Sequence, residues 1–193
     1  MKLSAEQLLA IVCNYWPSED LDAYCGFKRT PEVERFDELW KRELKELKKL
    51  KRWRAFLASL RAELPEFDLW DITAPVDASF RCGAYAKADP QQPQREWIVV
   101  GCLSILAPVY TVYGVQYTDD GKKRSHELFF EPLPPEMRAP ADLIARRIEA
   151  RFEASALPRE LAETPIPLYV EPRKPPDTTL FHALFIGDPE RVP

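Results

Sequence analysis

The chain has 193 residues, 46% of them hydrophobic and 30% charged, which is enough apolar material to close a core and too much for an intrinsically disordered chain. Its net charge of −4 hides a segregation: residues 41–61 carry nine basic and two acidic side chains, while the rest carries 18 basic against 29 acidic. Nineteen prolines against six glycines mean that many turns are set by a fixed φ and a missing donor rather than by left-handed backbone.

In chain order, Ser4 is placed to cap a short helix over Ala5 to Tyr15, which Pro17 ends. A polar loop, Ser18 to Thr30, follows. Thr30-Pro31 opens the longest predicted helix, with Glu32, Glu34, Asp37 and Glu38 at its positive end and lysines and arginines later. Its apolar residues recur from Val33 through Trp40, Leu47 and Trp53 to Leu64, and Pro65 stops it. Four β-rich runs come next: Phe80 to Lys87, Glu96 to Leu106, Val109 to Tyr117 and, after a Thr118–Lys122 hairpin turn, Arg124 to Glu131. Pro140 opens a further predicted helix, Ala141 to Ala154. The tail is extended, with a last apolar run, Leu180 to Ile186, that adds a strand or pins the tail to the body. The expected fold class is α+β: one domain over residues 1–193, with an antiparallel meander of about four to six strands packed with one long and two shorter helices. Its parts are a helical stretch (1–64), the sheet (65–131), and a helix with a Pro-rich tail (132–193).

Two apolar stretches bear on the membrane. Leu8 to Cys13 is too short for a secretory h-region. Trp97 to Thr118 has 22 residues without a charge, but Pro108, Thr111, Gln116 and three tyrosines interrupt it, and its pattern is that of two buried strands. Cysteines at 13, 25, 82 and 102 form no CxxC, and only His126 and His182 stand beside them, so no zinc finger is assembled. Scattered thiols with no secretory signal are expected to be reduced, in a cytoplasm, and no membrane contact or cofactor is expected.

Known catalytic devices are hard to find. Glycines at 26, 83, 101, 114, 121 and 187 are never closer than seven apart, which excludes a P-loop and a GxGxxG turn, and no GxSxG exists. Asp120-Gly121-Lys122, beside Asp119, has a nuclease-like spelling but lies in a hairpin tip, where Asp and Gly serve the turn. Cys82 or Cys102 with His126 is the one nucleophile arrangement on offer, against the plainer reading of each as core or edge packing. His182 shares the parity of Leu180, Leu184 and Ile186 and reads the same way.

Two surfaces suit a partner. The basic helix face (Lys41, Arg42, Lys45, Lys48, Lys49, Lys51, Arg52 and Arg54, with Trp40 or Trp53 for stacking) suits phosphates, or is a solvated face. Acidic residues beside aromatics suit a basic protein: Trp16, Glu19, Asp20, Asp22 and Tyr24 in one loop, and Glu66, Asp68 and Asp71 around Trp70 in another.

The short helix leading into a long charged one, the Trp97–Glu131 meander and the end Pro175-Pro176-Asp177-Thr178-Thr179-Leu180-Phe181-His182-Ala183-Leu184-Phe185 loosely resemble bacterial immunity-type proteins of secreted toxin systems. The resemblance contains no diagnostic motif and carries over no functional residue by position. It implies a non-catalytic protein that neutralises a cognate toxin, often a nuclease, by direct binding. An acidic body fits a basic partner of that kind. The alternatives are a nucleic-acid-binding accessory protein using the 41–54 face, and an enzyme built around Cys82, Cys102 and His126.

Overall fold

The structure is a computed structural model and describes residues 3–19, 30–45, 47–87, 95–119, 121 and 124–192; the side chains at 45, 47–49, 95 and 124 are not described. Helix α1, Ala5–Val12, is shorter than expected and starts with a capping box: Gln7 N–H donates to Ser4 Oγ, and Ser4 N–H to Gln7 Oε1. The long helix is described as α2, Pro31–Lys45, and α3, Leu47–Glu63. Five strands then form an antiparallel meander in the order β1-β2-β3-β4-β5: β1 Phe67–Asp71, β2 Ser79–Ala86, β3 Arg95–Ser104, β4 Val109–Asp119 and β5 Arg124–Phe129. A two-residue strand, β6 Ser155–Ala156, pairs parallel with the start of β4 and makes the six-stranded sheet mixed. The fold is α+β, and the uncharged 97–118 stretch is the β3–β4 hairpin. Among the described residues no helix is long and apolar enough to cross a membrane.

Three elements depart from the sequence reading. Strand β1 was not expected; it pairs antiparallel with β2, Leu69 opposite Ala84. Helix α4 runs Pro135–Phe152, so Pro135, not Pro140, opens it, and Pro140 lies buried inside. Pro135 occupies the first helical position, where its missing N–H costs nothing. Of the two expectations for the 180–186 run, a strand or a pin for the tail, the pin holds: it forms helix α6, Leu180–Leu184, with Thr179 and His182 as its capping pair; the connection also holds a single-turn helix α5, Arg159–Ala162.

Period-two alternation splits the sheet into two covered faces. On one face Phe80, Cys82, Ala84, Val99 and Leu103 pack under α2, α3 and α4. There Trp53 lies 4.9 Å from Phe56 and 5.5 Å from Phe80, with Trp40 at 5.4 Å from Phe80. Helix α4 comes so close that a Cβ on Gly101 would lie 2.5 Å from Ile144 Cγ2. On the other face Ile98, Val100, Cys102, Tyr113 and Val115 pack against α1, α6 and the tail. The tail is strapped down by polar contacts. Ser79 Oγ donates to the Phe185 carbonyl (2.9 Å), Tyr117 Oη to the Glu190 carbonyl (2.7 Å), and Arg173 Nε to the Gly187 carbonyl (3.2 Å). Gly187 is required there, because a Cβ would lie 2.1 Å from the Glu171 carbonyl oxygen.

Candidate functional site

Sheet order decides which predicted residues reach solvent. Strand β1 is an edge, and its two periodic faces differ. Phe67 and Leu69 turn toward α3, while Asp68 and Trp70 turn to the opposite side, with Trp70 61% exposed. Asp68 shares its face, and Glu66 and Asp71 are exposed near it in the chain, Asp71 on the Leu69 side by alternation. Gly83 lies opposite Trp70 in the register and gives it no side chain to pack on. The edge backbone is partly occupied: the Leu69 carbonyl accepts from Arg61 Nε at 3.1 Å, and Phe67 N–H donates to the Leu64 carbonyl at 3.1 Å.

The other acidic-aromatic group divides. Trp16 is half-buried, its indole N–H donates to the Ala183 carbonyl at 2.8 Å, and its ring lies 4.8 Å from Phe36. It ties the exit of α1 to α6 rather than facing a partner. Glu19 is exposed; Asp20, Asp22 and Tyr24 lie outside the described residues.

On the far side of the sheet is a cleft of about 840 Å³, between β4, the end of β5, α4, α5 and α6. This is the size of a small-ligand or peptide-side-chain site. Phe130, Leu133, Leu157 and Phe181 give it apolar walls, and both signs of charge line it, Arg138, Arg159 and Arg173 with Glu131, Asp142, Glu163 and Glu190. Arg159 pairs with Glu163 at 2.7 Å and Arg173 with Glu190 at 2.9 Å. Arg138 donates through Nε to the Leu133 carbonyl at 2.8 Å. Tyr110 Oη donates to Glu149 Oε1 at 2.7 Å; burial, then this bond, push the phenol up. His182 Nδ1 faces Thr179 N and Oγ1, and burial followed by the Arg173 charge holds its imidazole down at about 4. At neutral pH His182 is therefore an uncharged cap.

No family model, no curated protein and no solved structure matches this chain.

The remaining candidates are rearranged by the fold. Cys82 points to the α3/α4 face, 3.7 Å from the Gly101 carbonyl, and Cys102 to the opposite face. Both are fully buried; burial pushes the Cys102 thiol up to about 12 and the Cys82 thiol still higher. His126 is exposed on β5 opposite Tyr117, while Cys102 sits opposite Thr111. Six residues of β4 separate them, roughly 20 Å at the strand rise. The structure does not bring the three together as a nucleophile and base. Among the described residues no three of His, Cys, Asp and Glu gather as metal ligands would.

On the basic helix, Lys41, Arg42, Lys51, Arg52 and Arg54 are exposed, whereas the side chains of Lys45, Lys48 and Lys49 are outside the description. Trp40 and Trp53, the expected stacking residues, are buried in the core and closed to a base. Arg52 is already engaged: it donates to the Arg151 carbonyl at the end of α4 and lies 5.4 Å over the Phe152 ring.

Sequence reasoning missed the cleft altogether. Its signals were Pro132 and Pro158, which end strands, but they become readable only once those strands are placed.

Proposed function

We propose that this is a non-catalytic protein-binding protein, one that neutralises a basic partner toxin in the manner the immunity-type resemblance implies, and that the β1 edge carries the contact. The observation behind this reading is the exposed Trp70 with Asp68 on the same face of β1, and exposed Glu66 and Asp71 nearby in the chain. A large aromatic in water, flanked by charges of one sign, is the pattern of an interface anchor with steering charges around it. The partly occupied backbone of β1 favours contact through side chains. The nucleic-acid reading has less support, because Trp40 and Trp53 are buried and Arg52 is held by α4.

The test is co-expression with the toxic product of the adjacent reading frame. Wild-type protein should protect cells and co-purify with the toxin in a fixed ratio. Trp70→Ala with Asp68→Lys and Asp71→Lys should keep the fold and lose protection. A toxin that kills equally with and without this protein sinks the reading; full protection by the triple variant moves the contact off β1.

A further inference from the structure

The two neighbours of β4 on its outer side stop short of each other. β5 reaches Gly114, opposite Phe129, and β6 reaches only Tyr110, opposite Ala156. Thr111 to Tyr113 lie between, a gap of about 10 Å at the strand rise. Leu157 N–H donates to the Tyr110 carbonyl at 2.9 Å, so the polar groups of Tyr110 face this side. Alternation along the strand turns Thr111 and Tyr113 toward β3 and returns the Val112 N–H and C=O to the gap. The β3–β4 register runs unbroken from Arg95↔Thr118 to Leu103↔Tyr110, so no bulge disturbs that alternation.

Neither flank continues into the gap. Beyond β5 the Glu131 carbonyl accepts from Arg159 Nη1 at 3.2 Å, and Pro132 has no N–H to offer. Beyond β6, Leu157 is followed by Pro158, where the chain turns into α5. The cleft opens here, with Val112 among its lining. A strand donor and acceptor therefore point into a cavity with apolar walls. Beside them Arg138 donates to the Leu133 carbonyl, and among the described residues it forms no ion pair; Arg159 and Arg173 are each paired with a glutamate, and Glu131 and Asp142 also line the cleft.

We propose that the cleft receives an extended segment of a partner polypeptide, which pairs with Val112 across the gap. One apolar side chain sits between Phe130, Leu133, Leu157 and Phe181, and a neighbouring acidic side chain meets Arg138. The backbone pair asks for an amide on both its donor and acceptor sides, which is what an extended peptide supplies. The apolar walls and the exposed Arg138 guanidinium select its side chains. This site lies across the sheet from β1, so it stands or falls apart from the reading above.

The experiment is a titration of ¹⁵N-labelled full-length protein with N-acetylated, C-amidated pentapeptides carrying a central Leu or Phe beside an Asp. Saturable shifts centred on the Val112 amide and slowed hydrogen exchange there are expected. Replacing the central peptide amide with an ester should weaken binding. Arg138→Glu, on an exposed side chain, should weaken it about tenfold, the scale of one charge-assisted hydrogen bond. Ala145→Trp, which fills the cleft from α4, should remove it. The absence of any saturable shift at Val112 at millimolar peptide overturns the proposal, as does an ester that binds as well as the amide. Dimerisation that Ala145→Trp abolishes, with no peptide competing, also overturns it, because the occupant is then a second copy. The ester comparison uses only wild-type protein, so a variant that fails to fold leaves the test decisive.

Discussion

Arg81 in β2 and Asp77 in the β1–β2 connection form an ion pair at 2.8 Å, with side chains 4% and 13% exposed. Among the described residues, Arg81 Nε and Nη1 have no hydrogen-bond partner. Asp77 also takes the Gly187 N–H, yet burial outweighs both contacts and raises its carboxyl. At an effective dielectric of about 20 the attraction is of order 6 kcal/mol, and withdrawing two charges from water costs several kcal/mol for each ion. The net pair is therefore near zero, while either charge alone is a liability. Asp77→Asn should cost about 3–5 kcal/mol, because it leaves a buried guanidinium uncompensated. Arg81→Met should cost somewhat less, because an isolated Asp77 can take up a proton. The double variant should recover at least about 2 kcal/mol of the summed loss. Urea unfolding of the four proteins at constant m-value reads this directly. Additivity within about 0.5 kcal/mol would refute the reasoning. The pH dependence has a definite sign. A raised carboxyl means that the folded state binds the proton more tightly than the unfolded chain, so this contribution is full below the unfolded value and is lost as pH rises through the folded one. Arg81→Met should steepen that loss and carry it to higher pH.

His182 should act with the opposite sign. Its imidazole is held at about 4 against an ordinary 6.5, by burial and then Arg173, with Asp177 and Asp188 offsetting in part. The unfolded chain gains the proton first, so stability should fall as pH drops from 6.5 toward 4. The loss is of order 1–2 kcal/mol once partial exposure is discounted, and His182→Gln should flatten that limb in acid-titrated thermal melts. A variant with an unchanged acid limb would remove His182 from the account. Among the thiols, exposed Cys13 should take up iodoacetamide in the native protein, while Cys82 and Cys102 should react only after denaturant is added. Peptide mass mapping distinguishes them, and native labelling of Cys102 would contradict the packing of the tail over the sheet.

The strands that were legible are those whose residues say the same thing locally and globally. Ile98-Val99-Val100 and Val109-Tyr110 are β-branched or aromatic and buried on both faces, so composition alone placed β3 and β4. β1 was missed because Phe67-Asp68-Leu69-Trp70-Asp71 is a half-exposed edge, and its outward residues read as an acidic-aromatic loop. The acids and Trp70 were found; the strand that presents them was not. In the tail only the strand half of the expectation failed. Leu180, His182, Leu184 and Ile186 fit a period of two, but Thr179 caps a single helical turn through His182 Nδ1, a contact three residues away. The cleft left no local trace, because Val112 looks like any strand valine until the ends of β5 and β6 are placed against it.

A sheet covered on both faces has only its edges left to offer a partner. The faces here are closed, one by α2, α3 and α4, the other by α1, α6 and the strapped tail, and the two proposals therefore fall on the sides of the sheet. They are prepared in different ways. On β1, Arg61 and the Leu64 carbonyl occupy backbone groups, which blunts strand addition and leaves Trp70 and its carboxylates as the accessible chemistry. On β4, alternation turns the Val112 backbone into the gap between the ends of β5 and β6. Under the two proposals, β1 selects a surface by charge and an aromatic anchor, and the gap beside β4 selects a peptide by its amides. Loss of Trp70 should therefore leave the peptide shifts at Val112 intact, and a filled cleft should leave the β1 contact intact.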